Sequence, residues 1–286
     1  MPFARANASE LPMTARNSVF LTLALLALPV TAAWADEAAP SESSWPFEDA
    51  RFSGTLGLSY SNGGYGTPRN TNVELALPAL AMETGNFRFT ASLPYLRISG
   101  RGLVVFDSVG NPIVINRRSN LPPDVRTGWG DLDLSASYTI PAGLLDDFQV
   151  KISGLVKAPT GSARRRLSTG EWDFGASIDV SRKFDIWEPF VTVGYLVPGQ
   201  TPAFQLYNTT SVSAGTALEL SDDLVAVASY DFDSASTPLV VASHEVFGSL
   251  TWVRSDRFTL TGYTTGGLSD GAPNFGGGLL ISYHFN

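Results

Sequence analysis

The sequence predicts an all-β chain: a transmembrane antiparallel up-and-down β-barrel of about 12 strands, with short periplasmic turns and longer external loops. Three observations predict it. Apolar and polar side chains alternate with a period of two from Arg51 to the chain end, as expected of strands with two unlike faces. The closing segment, 274–286 (NFGGGLLISYHFN), places Phe275, Leu279, Ile281, Tyr283 and Phe285 on one face. Gly276, Gly278, Ser282 and His284 lie on the other, with Leu280 the exception. An open edge on such a strand invites aggregation, whereas a barrel pairs it with the first strand. Finally, short and long connections alternate along the chain, the asymmetry of outer-membrane barrels.

The N-terminus points to the same compartment. Arg5 and Arg16 precede an apolar stretch at 19–30 (VFLTLALLALPV), followed by Ala33-Trp34-Ala35. This is the n-region, h-region and A-x-A order of a secretory signal peptide, and the run is well short of the roughly 20 residues of a membrane helix. Residues 1–35 are expected to be cleaved, with Met13 an alternative start because Met13-Thr-Ala-Arg16 alone makes an n-region. Residues 36–50 are acidic and aperiodic and read as a flexible periplasmic tail, leaving 51–286 as the barrel. After residue 35 no apolar run is long enough for a membrane helix, so a spanning chain must close as a barrel. Cleavage removes Arg5, Arg16 and Glu10 and takes the formal net charge from −8 to −9, which excludes nucleic acid as a partner. The chain has no cysteine, which fits an exported bacterial protein without disulfides.

Taken in order, strand one (51–60) aligns Phe52, Leu56, Leu58 and Tyr60. Strand two (71–81) aligns Val73, Leu75 and Leu77, and strand three (86–98) aligns Phe87, Phe89, Ala91 and Leu93 before a phase change at Pro94-Tyr95 that suggests a bulge. Strand four (128–140) carries Leu132, Leu134, Ala136, Tyr138 and Ile140; strand five (147–158) carries Phe148, Val150, Ile152 and Val156. Strand six (171–181) carries Trp172, Phe174, Ala176, Ile178 and Val180. Strands seven (188–198), eight (208–220), nine (224–233), ten (239–253), eleven (257–267) and twelve (274–286) follow, the seventh apolar on both faces. Short turns at 83–86, 141–147, 182–187, 221–223 and 254–256 alternate with connections at 61–70, 99–127, 159–170, 199–207, 234–238 and 268–273. Tyr60, Trp129, Trp172, Tyr195 and Tyr230 fall near the external strand ends, and Tyr138, Trp187, Trp252, Tyr283 and Phe285 near the periplasmic ends. Two aromatic girdles are what a bilayer selects. Phe285, at the periplasmic rim, reads as the insertion signal.

With the apolar faces assigned to lipid, the opposite parity faces the lumen. It holds Arg88, Asp131, Asp133, Lys151, Lys157, Asp173 and Asp179. Basic and acidic strands alternate there, about 4.8 Å apart, so the residues form cross-strand pairs. Such a ladder either lines a polar path or fills and rigidifies a narrow barrel. Arg164, Arg165 and Arg166 form the only basic run, a candidate contact for anions such as lipopolysaccharide phosphate. In the longest loop, 99–127, two apolar flanks around Asp107-Ser-Val-Gly110-Asn111 read as a small hairpin that extends the barrel or folds inward. The two histidines, His244 and His284, have no metal-ligand spacing, and His244 shares parity with lipid-facing Val246, Leu250 and Trp252. No catalytic, cofactor or metal residues are assigned, and no enzyme is expected.

Gly128-Trp129-Gly130-Asp131-Leu132, Lys157-Ala158-Pro159-Thr160-Gly161, Leu167-Ser168-Thr169-Gly170 ahead of Asp173, and Gly194-Tyr195 follow one another in that order. This order resembles the outer-membrane barrel family named for the meta-pathway of phenol degradation, a transporter family, across most of the mature chain. The resemblance implies a barrel that passes hydrophobic or aromatic small molecules across the bacterial outer membrane. The expected partners are therefore outer-membrane lipid, with lipopolysaccharide at the arginine run, and a small hydrophobic or aromatic solute. The alternative is a structural or surface-interaction barrel with a closed lumen, and a membrane-embedded lipid hydrolase is a third, weaker reading. The terminal face of Gly276, Gly278 and Ser282 predicts that any pore is widest beside the seam.

Overall fold

A computed structural model describes residues 50–286 apart from 68, 101–102, 107–111, 117–123, 142–143, 146, 203–204 and 286. The expected signal peptide, and all of the expected tail but Ala50, lie outside the described residues. Sixteen strands are described: β1 (Arg51–Gly63), β2 (Thr71–Thr84), β3 (Phe87–Ser92), β4 (Tyr95–Gly100), β5 (Leu103–Phe106), β6 (Pro112–Asn116), β7 (Asp124–Trp129) and β8 (Leu132–Thr139). They continue as β9 (Phe148–Ala158), β10 (Asp173–Arg182), β11 (Trp187–Val197), β12 (Thr209–Ser221), β13 (Leu224–Asp233), β14 (Ser243–Ser255), β15 (Phe258–Gly267) and β16 (Phe275–His284).

Each strand pairs antiparallel with its neighbours, and β16 pairs with β1 from Ser53↔His284 to Asn62↔Phe275, so the sheet closes on itself. Lower β2 pairs with β3 and upper β2 with β4, while β8 and β7 follow on the far side. Counting β3 with β4, and β7 with β8, as single long strands gives a closed ring of 12, as the alternation predicted. Closure removes every edge, which hydrocarbon requires. The described turns at one end are short, for example Gly85-Asn86, while connections at the other are long, and we orient the long end outward.

The outer surface explains why these residues form such strands. Leu56, Leu58, Phe89, Leu134, Ile152, Ile178, Val193, Leu250 and Ile281 all point outward and are exposed. A band this apolar is stable only against lipid. Tyr60, Trp129, Trp172, Tyr195 and Tyr230 ring its external end, and Trp187, Trp252, Tyr283 and Phe285 the periplasmic end. Tyr138 is half-buried, its ring 4.8 Å from that of Phe87.

Three expectations change. In β2 the apolar set faces inward: Leu77 is 3% exposed and Leu80 is 64% exposed, because Leu77 pairs with lumen-facing Gly57 while Pro78 pairs with lipid-facing Leu56. The irregularity assigned to Pro94-Tyr95 lies on the neighbouring strand. Ala79↔Ser92 and Ala76↔Tyr95 keep one register on the β2 side, but from Ser92↔Asp133 to Tyr95↔Trp129 the β7–β8 side takes four steps against three. Gly130-Asp131 thus bulges opposite Pro94, which has no N–H for the ladder; the Gly130 N–H donates to the Pro94 carbonyl at 2.8 Å. Last, much of loop 99–127 is strand: β4 and β7 lengthen the wall, and β5–β6 is the predicted hairpin.

Candidate functional site: a two-sided interior and a plugged mouth

All seven predicted lumen residues point inward. Near the periplasmic end, Arg88 forms an ion pair with Glu83 across β2 and β3. At mid-height Lys151 meets Asp179 at 3.4 Å, and Asp179 accepts a hydrogen bond from Thr192 Oγ1 at 2.6 Å. Higher still, Lys157 Nζ lies 2.7 Å from Asp173 and 3.3 Å from Asp131 and donates to Thr169 Oγ1 at 2.9 Å. Asp133, also buried, sits between Ser92 and Lys157 in the ladder. These pairs hold strands β8 to β10 and the β9–β10 loop to one another.

The Pro-Thr-Gly and Ser-Thr-Gly motifs do specific structural work here. The Leu132 N–H at the bulge donates to Thr160 Oγ1 at 2.8 Å, and the Gly161 N–H to Asp131 Oδ1 at 2.9 Å. Ser168 Oγ donates to Asp131 Oδ2 at 2.8 Å. The backbone at a bulge, taken out of the ladder, finds its partners in these side chains. The loop is thereby drawn inward until Leu167 packs with Val73 and Ile98. Arg164–Arg166 stay at its outer side: Ala163–Arg165 forms a 3-10 turn capped by Ser162, and all three side chains are exposed.

The β5–β6 hairpin closes the mouth. Val104 and Val114 pack with Tyr65 and Val240, and Val105 and Ile113 with Leu206, so it touches the β1–β2, β11–β12 and β13–β14 loops at once. All four hairpin residues are at most 1% exposed. Arg126, from β7, donates to the Val104 carbonyl at 3.0 Å and to the Arg166 carbonyl at 3.1 Å, tying the hairpin to the β9–β10 loop. Burial raises the Tyr65 phenol to about 12, despite a hydrogen bond with Ser61 that opposes the shift.

The opposite wall carries an apolar belt, which the parity rule missed, with buried acids on the same strands at Asp231 and Asp233 of β13 and Glu245 of β14. Phe190, Val227, Phe247 and Leu280 form one buried cluster with Tyr263 packed against it, and Leu77, Ala79 and Leu75 form another on β2. Three bulky members face a glycine directly across the ladder: Phe190↔Gly215, Tyr263↔Gly278 and Leu280↔Gly57. Each side chain lies over its glycine, for a Cβ there would sit 2.8–2.9 Å from Phe190 Cζ, Tyr263 Cε1 or Leu280 Cδ2. The small residues beside the seam therefore do not widen a pore. They accommodate Tyr263 and Leu280. Only the register reveals this, although Leu280 as the exception to its strand's alternation was a usable signal.

His244 faces outward, its Nδ1 2.6 Å from the Tyr230 hydroxyl and its ring 5.2 Å from that of Phe232. The nearby Ser269 hydroxyl accepts from the His244 backbone N–H and donates to the Ala242 carbonyl, a loop-stabilising arrangement. Among the described residues no group of three or more His, Cys, Asp or Glu could hold a metal ion.

No family model and no curated protein matches this sequence. Among solved structures, an outer-membrane channel from Pseudomonas putida F1 matches 87% of this chain and 100% of its own length, with a TM-score of 0.65 and 12% identity. The KdgM porin matches over 81% and 99%, with a TM-score of 0.49 and 6% identity. A CymD monoaromatic hydrocarbon channel matches over 82% and 87%, with a TM-score of 0.40 and 11% identity. At 12% identity the first of these likenesses is one of fold: a closed barrel of the outer-membrane type.

Proposed function

We propose that the chain is an outer-membrane channel that passively passes small hydrophobic or aromatic compounds, seen here with its mouth closed. The observation that carries this reading is the two-sided interior. Small barrels are filled by their own side chains, and a filler built only for stability needs no apolar belt. Here Phe190, Val227, Phe247 and Leu280, with Tyr263, form such a belt and Leu77 and Ala79 a second apolar cluster on β2. The acids of β13 and β14, Asp231, Asp233 and Glu245, stand above it, and Lys151 and Lys157 on the far wall are engaged in ion pairs. Burial of an apolar solute against such a belt is favourable, and ions gain nothing from it.

The same reading takes residues 1–35 as the exported chain's cleaved signal and 36–50 as a periplasmic tail, and it places the chain in the phenol meta-pathway barrel family. It assigns Arg164, Arg165 and Arg166 to lipopolysaccharide phosphates, and it needs no cofactor and no catalytic residue. The test is flux of phenol into vesicles whose outer leaflet is lipopolysaccharide, since plain phospholipid passes neutral aromatics unaided. Phenol entry should rise with the number of folded barrels; entry no faster than in protein-free vesicles would remove the transport claim.

A second reading, a closed scaffold without transport, is favoured by one observation. Inward residues such as Thr192, Thr259 and Thr261 are at most 2% exposed, so the interior is packed at their level. Zero flux together with an intact, folded barrel would select it.

A further inference from the structure

We infer that Phe190 and Phe247 are the specificity-determining residues of the solute path: a collar in the apolar belt that admits neutral aromatics and holds back water-borne polar solutes. This inference rests on the channel reading above and deepens it. Phe190 projects from β11 across Gly215 of β12, where a Cβ would lie 2.8 Å from its ring and 2.7 Å from Ser229 Cβ of β13. The ring thus bridges three strands, and Val227 continues the surface on β13. Phe247 enters from β14 opposite Ser229 and lies 6.0 Å, centroid to centroid, from Tyr263. Tyr263 in turn covers Gly278 of β16, and Leu280 covers Gly57 of β1.

The order of sizes around the wall is what makes this a collar. Each of the four bulky residues of the belt faces, on one neighbouring strand, a residue with little or no side chain: Gly215 for Phe190, Ser229 for Phe247, Gly278 for Tyr263 and Gly57 for Leu280. Rings can then lie along the wall as one apolar sheet, in place of separate knobs crossing the lumen, and the two phenyl groups carry no polar atom. A ring of this kind excludes ions and polar solutes by staying dry, while a flat aromatic solute replaces ring–ring contact with ring–solute contact at little cost. Against β9 and β10 a solute would have to displace ion pairs such as Lys151–Asp179. The belt itself holds no charge, and the acids of its own strands, Asp231 and Glu245, lie one inward position above Ser229 and Phe247.

The test measures phenol and glycerol entry into lipopolysaccharide-coated vesicles for the wild type, Phe190→Ala, Phe247→Ala and the double variant. Folding is checked by heat-modifiable migration, and Phe190→Leu and Phe247→Leu, which keep the collar apolar, guard against alanine variants that fail to fold. Loss of one phenyl contact corresponds to roughly a tenfold fall in the phenol-to-glycerol ratio, with a larger fall in the double variant. The leucine variants should keep the ratio within about threefold of wild type, since leucine keeps the position apolar and retains much of the buried area. If the wild type passes phenol and the alanine variants leave the ratio unchanged, the collar is wrong and the channel stands. If the wild type itself passes no phenol, the channel reading has failed first. Equal falls in the leucine and alanine variants would also overturn the collar, because they would trace the effect to shape alone.

Discussion

Lys157→Met is the most revealing single change. The ammonium is 2% exposed and bridges Asp173, itself 0% exposed, and Asp131. Methionine keeps most of the length of the side chain and removes the charge together with the donor to Thr169, leaving two buried carboxylates facing each other without their cation. Breaking a buried pair by deleting one partner costs about 3–5 kcal/mol, because the desolvated charge that remains is uncompensated. The loss concentrates where Asp131 holds Gly161 and Ser168, so the β9–β10 loop should detach before the barrel opens. Two readouts separate these events: guanidinium unfolding in detergent micelles for the barrel, and fluorescence of Trp172, next to the loop, for the detachment. Adding Asp173→Asn and Asp131→Asn removes the uncompensated charge and should recover most of the stability, as replacing a whole buried ionic group is often near neutral. If Lys157→Met unfolds within about 1 kcal/mol of wild type, the range of an exposed pair, the triad does not hold the mouth.

Three more outcomes follow from the mouth. Arg126→Ala deprives the Val104 and Arg166 carbonyls of their donor; limited proteolysis should cut within 101–123 faster while the barrel keeps its heat-modifiable migration. Thr160→Val removes the acceptor of the Leu132 N–H at the bulge and should lower stability by about 0.5–1.5 kcal/mol in the same unfolding assay; no change would show that the bond contributes nothing to holding the bulge. For Tyr65 the folded phenol lies near 12, above its ordinary 10. Its contribution is therefore complete below pH 10 and lost as pH rises from 10 towards 12. Phenolate absorbance should show a late-titrating component that shrinks by one tyrosine in Tyr65→Phe.

How much of this could be read from the chain depends on what each signal encodes. The alternation and turn residues gave strand nine its observed bounds, 224–233, because Asp222-Asp223 on one side and a run of clean parity on the other leave no freedom. Strand two failed because parity separates two faces without saying which is lipid; Val73, Leu75 and Leu77 are apolar for the lumen's sake. Its register against Leu56 and Leu58 decides the matter, and register is a long-range property. The bulge was sensed at Pro94 but belongs to Gly130-Asp131, since the missing proline donor is accommodated by the partner strand. The charged candidates were legible residue by residue. Their engagement with loop 159–170 was not, nor was the Phe–Gly pairing, because both depend on which residues meet across strands.

In the channel, solute runs along the apolar belt of the interior. The chain has no cysteine, so a single introduced thiol reports without background. Ser249 lies in the belt, paired with Val227 and Tyr263, and Ser177 on the ion-paired wall, two residues from Asp179. In folded Ser249→Cys and Ser177→Cys barrels, the rate of modification by a small neutral thiol reagent is measured with and without phenol. Phenol should slow the reaction at position 249 and leave position 177 unchanged. Protection confined to position 177, or none at either site, would contradict the claim.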